Sequence, residues 1–157
     1  MKPSRFPTLI LCMAGPLAAG FVSGIATAQN IDTWYTQLEK PWFQPPAWIF
    51  GPVWTVLYLL MGISLFLIWR SERGAFRSRG LLLFFIQIAL NFAWSFIFFQ
   101  FRQPGWAFTE IILLWITLTA MVAVFSRVSK AAAWLQVPYL LWVSFATVLN
   151  GSIWWLN

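Results

Sequence analysis

Apolar residues fall along the 157-residue chain in five long runs, at 6–28, 47–69, 80–100, 105–125 and 131–156, and almost every charged residue lies between them. A hydrocarbon core of about 30 Å is crossed by about 20 mostly apolar helical residues. Each run is therefore long enough for one membrane-spanning helix. The predicted fold class is an all-α membrane protein, with residues 1–157 forming a single integral membrane domain built as a five-transmembrane-helix bundle. Between the runs stand a loop at 29–46, a basic connector at 70–79, and two tight turns at 101–104 and 126–130.

Composition sharpens this picture. Only 9% of residues are charged, against about a quarter in soluble domains. Ten Lys and Arg stand against four Asp and Glu, a balance that in a soluble protein would suggest nucleic acid. Here the basic residues sit in short connectors and form no stripe on one face, so no nucleic-acid partner is expected. The rule that short cytoplasmic loops carry the Lys and Arg explains them instead. Lys2, Arg5, Arg70, Arg73, Arg77, Arg79, Arg127 and Lys130 fall on one side of a five-span topology, and only Lys40 and Arg102 on the other. This places the N-terminus in the cytoplasm and the long loop and C-terminus outside, in a multi-pass membrane protein. Lys2, Arg5 and Ala26-Thr27-Ala28 before Gln29 also fit a cleavable signal peptide. The Gly20-xxx-Gly24 spacing favours a retained helix packed closely on its neighbours.

The chemistry is bounded by what the chain lacks. It has no histidine and one cysteine, Cys12, which excludes a structural zinc site, a Cys-His nucleophile pair, an iron–sulfur cluster and a His-ligated haem. No metal site and no tightly bound cofactor are expected. Any ligand must be held by stacking and hydrogen bonds.

Residues three and four apart share a helix face, and three spans carry an aromatic and small-polar stripe at that spacing. These are Gly51, Trp54 and Tyr58; Asn91, Trp94, Ser95 and Phe98; and Trp142, Phe145, Ala146 and Asn150. Any one stripe alone is explained by helix packing. Depth adds to the argument, because at 1.5 Å per residue Trp54 lies about 12 Å below the end of its span, and the other two stripes also fall in the halves nearest the long loop. All three converge at one level, where a flat aromatic guest would fit. Asn91 and Asn150 put amides into hydrocarbon, which demands partners. Glu110, the one acid inside an apolar run, is either a functional ionisable group or a residue made comfortable by its nearby helix N-terminus. The 29–46 loop joins helix-forming residues to the rigid Pro45-Pro46 end. It reads as a folded lid over that level, with its Trp and Tyr alternatively serving as headgroup anchors.

These motifs resemble the translocator protein family, also called tryptophan-rich sensory proteins or peripheral-type benzodiazepine receptors. The resemblance runs through Trp34-Tyr35-xx-Leu38-x-Lys40-Pro41-xxx-Pro45-Pro46 and Gly51-Pro52-Val53-Trp54-xxx-Tyr58-xx-Met61-Gly62. It continues in Ala89-Leu90-Asn91-xx-Trp94-Ser95-xx-Phe98-Phe99, in Gly105-Trp106-Ala107, and in Pro138-Tyr139-Leu140-x-Trp142-xx-Phe145-Ala146-Thr147-x-Leu149-Asn150. It implies a homodimer of five-helix bundles that binds porphyrins such as protoporphyrin IX and haem, with synthetic isoquinoline or benzodiazepine ligands and lipids as further partners. The implied ligand contacts are Tyr35, Pro45, Trp54, Tyr58, Asn91, Trp94, Ser95, Trp106, Trp142 and Ala146. The sterol pattern proposed for animal members needs a Tyr followed by Lys or Arg in the last helix, and residues 151–157 hold neither.

The expected function is a membrane protein that binds tetrapyrroles in porphyrin sensing, sequestration or transport, with the macrocycle stacked on indole and phenol faces. An alternative, also implied by the resemblance, is light- and oxygen-dependent porphyrin breakdown in which Trp54 and Trp142 are the catalytic residues. No acid–base pair or nucleophile constellation supports a conventional enzyme. A third reading is a helical adaptor whose tryptophans only pack.

Overall fold

The computed structural model describes residues 5–157, with side chains from Phe6 onward. Lys2 and the Arg5 side chain, both used in the charge argument, lie outside the described part. Among the described residues, five helices are long and apolar enough to cross a bilayer. They are α1 (Arg5–Ile31), α3 (Phe50–Arg70, entered through a 3-10 turn at Ala47–Ile49), α4 (Ala75–Ser95), α5 (Pro104–Val128) and α6 (Lys130–Leu156). A one-turn helix, α2 (Trp34–Gln37), lies in the long loop, and α4 runs on through a π-helical turn at Phe96–Gln100. That wider turn is closed by the Phe101 N–H bonding Phe96 O at 2.8 Å.

Most helices extend beyond the apolar runs that announce them, because local hydrogen bonds let polar residues join the ends. α1 continues three residues past 28, with the buried Asn30 amide bonding Ala26 O. The basic connector shrinks to residues 71–74, because Ala75 to Arg79 already belong to α4. Arg77 reaches back from α4 and donates to Ile68 O and Trp69 O. It supplies a cation at the C-terminal end of α3, where the helix dipole favours one. Pro104 starts α5 at a position where its missing N–H is not needed, and Arg102 just before it takes φ 55. At the opposite end Ser129 alone separates α5 from α6, its hydroxyl accepting from Ala132 N.

Around the bundle the neighbours run α1, α3, α6, α5, α4 and back to α1. The core is filled by Met61, Ile68, Phe84, Leu118, Met121, Phe125 and Tyr139, all almost fully buried. Arg70 and Arg127 near the ends of α3 and α5, Arg73 in the connector after α3 and Lys130 at the start of α6 define a basic end. The long loop covers the other, lid end. Its Tyr35 is buried against Phe98 and Phe99, with ring centroids 6.0 and 5.6 Å apart. Lys40 Nζ sits 5.0 Å over the Tyr35 ring. The loop is latched by Asn157, whose side chain accepts from Glu39 N and donates to Glu39 O, both at 3.0 Å.

Candidate functional site

Beneath the lid lies a cavity of about 770 Å³ walled by α1, α2, α3, α4 and α6. The aromatic stripes read from helical spacing all contribute to its wall. From α3 come Gly51, Trp54 and Tyr58; from α4 Trp94, Ser95 and Phe98; from α6 Trp142, Ala146 and Asn150; and Tyr35 closes the top. No charged side chain among the described residues lines it. Among the described residues no three His, Cys, Asp or Glu side chains converge.

The three indoles are held in different ways. Trp54 stacks on Tyr58 at a centroid distance of 5.5 Å and an interplanar angle of 29° and meets the edge of Tyr139 at 6.1 Å. Trp94 stacks on Phe98 at 5.3 Å. Its Nε1–H donates to Asn150 Oδ1 at 3.0 Å, and Asn150 in turn donates to Pro104 O at 2.9 Å. The amide that the sequence left exposed to hydrocarbon is thereby satisfied inside the bundle. Trp142 packs against Phe50 and Phe145 at 5.7 and 5.6 Å, and its buried Nε1–H has no protein acceptor.

Below the cavity floor runs a chain of hydrogen bonds. Tyr58 donates to Asn91 Oδ1 at 2.6 Å, Asn91 Nδ2 donates to Tyr139 at 3.0 Å, and Tyr139 donates to Gln87 Oε1 at 3.0 Å. All four side chains are buried. Asn91, expected among the contact residues, does not line the cavity; it stands one layer lower and fixes Tyr58, which does. Pro45 also lies off the wall, half-buried in the loop.

Trp106 is 71% exposed and lines a separate recess at the lid end with Trp34, Arg102 and Trp154. The reason is its helix: α5 packs on α4 and α6 and contributes no side chain to the cavity. Glu110 shares that position. It is buried on α5, away from the cavity wall, with neither carboxylate oxygen bonded to protein. This burial differs from the comfortable helix-terminus setting that is one of the two readings of Glu110 from sequence.

The contribution of α1 is absent from the sequence expectation. Leu17, Gly20, Gly24 and Ala28 all line the cavity. The Gly20-xxx-Gly24 pair was read there only as a packing face, and half of it is one. A Cβ on Gly20 would run into the Tyr58 ring, whereas one on Gly24 would meet nothing within 4 Å. At the lid, burial pushes the Tyr35 hydroxyl up to about 12, so it stays neutral across the physiological range.

The description TspO/MBR family fits residues 12–156. The chain is 43% identical over 150 residues to the tryptophan-rich protein TspO of Archaeoglobus fulgidus, covering 95% of this chain and 96% of that one. It is 37% identical over 157 residues to the translocator protein of Homo sapiens, with 98% and 92% covered. To the tryptophan-rich sensory protein of Cereibacter sphaeroides it is 33% identical over 126 residues, with 80% and 78% covered.

Proposed function

Given that this chain belongs to the TspO/MBR family, and is an integral multi-pass membrane protein by its five apolar helices, we propose that it binds a tetrapyrrole such as protoporphyrin IX or haem, for sensing, sequestration or transport. The observation that carries this is the cavity of about 770 Å³ lined by indoles from three separate helices with no charge in its wall. Pockets of about 300–1,000 Å³ suit one compact organic ligand, and a wall of apolar and aromatic groups with few polar contacts is what such a ligand needs. Stacking on Trp54, Trp94 and Tyr58 supplies the ring's affinity. The propionates, which are costly to bury unpaired, point to the lid end. There Lys40 lies over Tyr35 and Arg102 bonds Asn30 Oδ1.

Protoporphyrin IX titrated into the protein in vesicles should quench tryptophan emission saturably with one site per chain, and Trp94→Ala should weaken that binding. Quenching that rises linearly without saturation would overturn the proposal. The presence of both Trp54 and Trp142 in the wall favours, as the second reading, light- and oxygen-dependent breakdown of the bound porphyrin. An indole beside a photoexcited ring can donate an electron to it, and this reading stands or falls separately from binding.

A further inference from the structure

The walls of the cavity are not equally closed. Over the half nearer the basic end, α1 and α3 are pressed together at glycines. Gly20 lies against the Tyr58 ring, and a Cβ on Gly62 would stand 2.6 Å from Met13 Cα. Towards the lid end the same helices part. Gly24 on α1 and Gly51 on α3 both have open space where a side chain would begin, with no neighbouring atom within 4 Å. Both line the cavity, and both are exposed. So is Thr55, and Phe21 lines the cavity while 72% exposed. A residue that faces an internal space and the surroundings at once stands on the rim of an opening.

The depth of that opening decides what it faces. Gly24 stands seven residues from the end of α1 at Ile31, roughly 10 Å at 1.5 Å per residue, inside the hydrocarbon thickness rather than in water. The route through the lid is closed by contrast, with Tyr35 buried on Phe98 and Phe99 and Asn157 latched to Glu39. We propose that the cavity opens sideways into the bilayer between α1 and α3, so that its ligand arrives through this slot from the lid-side leaflet. A phospholipid acyl chain fills the slot when no other ligand does. The wall is apolar, and lipid tails are as apolar as the leucines around them, so a tail fits without desolvating anything. The slot rests on the helix geometry alone; only the identity of the incoming ligand rests on the function proposed above.

Two measurements test it, and they fail separately. First, the unliganded protein in vesicles is irradiated with a phospholipid carrying a diazirine in mid-chain, and adducts are mapped by mass spectrometry. Adducts on Gly24, Thr55 or Trp54 are expected; adducts confined to outward-facing residues such as Leu113 and Ile116 of α5 would overturn the slot whatever porphyrin does. Second, Gly24→Phe and Gly51→Phe, which plug the rim, should slow protoporphyrin association at least 10-fold. Asn157→Ala, which frees the lid, should leave that rate unchanged. A rate raised by Asn157→Ala and indifferent to both plugs would show that the ligand passes the lid instead. Tail adducts in the slot together with no saturable porphyrin binding would leave the slot standing and remove the porphyrin reading.

Discussion

Replacing Asn91 with leucine removes the centre of the hydrogen-bond chain below the cavity while keeping its volume nearly constant. Two bonds disappear, the 2.6 Å bond from Tyr58 and the 3.0 Å bond to Tyr139, and the buried Tyr58 hydroxyl is left without an acceptor. In soluble proteins such an orphaned donor costs about 1–3 kcal/mol. Side-chain bonds between helices in a bilayer average only ~0.6 and reach ~1.7 kcal/mol. Two bonds thus lead us to expect a loss of about 1–3 kcal/mol in a reversible denaturation titration. The effect reaches the ligand as well, because Trp54 rests on Tyr58 and on Tyr139, the two phenols that Asn91 ties together. Each kcal/mol of lost order in that floor weakens binding by about 5-fold. The decisive assay is a double-mutant cycle with Tyr58→Phe, for which a coupling of ~0.6–1.7 kcal/mol is expected. Additive effects, or an Asn91→Leu protein as stable as the parent, would show that the chain is not what holds the floor.

The two glycines of α1 should part company: Gly20→Ala forces a methyl into the Tyr58 ring and should destabilise by about 1–3 kcal/mol, while Gly24→Ala should be near neutral; equal melting temperatures would contradict the assigned contacts. Asn157→Ala should raise the exchange rate of the Glu39 amide by about 5-fold or more through loss of roughly 1 kcal/mol, read by hydrogen exchange; an unchanged rate would mean that the latch is not closed in solution. Tyr35, ordinarily near 10 and raised by burial to about 12, binds its proton more tightly folded than unfolded. Its contribution, up to ~3 kcal/mol, is therefore fully present below pH 10 and lost as pH rises to 12. Tyr35→Phe should flatten that decline, and a parent-like decline would assign it elsewhere. Trp54→Phe and Trp142→Phe should slow the bleaching of bound protoporphyrin under light and oxygen if these indoles react with it; bleaching at the parent rate in both variants removes the degradation reading while leaving binding untouched.

Much of this arrangement is legible in the sequence, because helical period alone aligns Gly51 with Trp54 and Tyr58, and Trp142 with Ala146 and Asn150. The same phase argument misplaces Asn91, which shares a stripe with Trp94 and Ser95 but lies a turn deeper, below the floor rather than on the wall. Period gives the face of a helix and not the depth at which a cavity ends. Gly20 and Gly24, taken from their spacing as one packing face, divide for a different reason. Two glycines one turn apart signal either close packing or empty space, and only the partner decides; Tyr58 fills one and nothing fills the other. Trp106 and Glu110 depend on which helix sits where in the ring, which hydropathy does not encode. Helix ends moved because Arg77 and Ser129 supply hydrogen bonds that a count of apolar residues does not register.

The position of α5 outside the cavity divides the molecule into a recognition part and a supporting part. Four of the spanning helices carry the pocket, so changes along them are bound to alter ligand preference. The fifth presents Leu113, Trp115 and Ile116 outward and can drift, adapt to a different lipid composition or acquire a companion protein without disturbing what the pocket accepts. Among descendants of one ancestral bundle, divergence in cellular association would then accumulate on this strut, with ligand chemistry preserved.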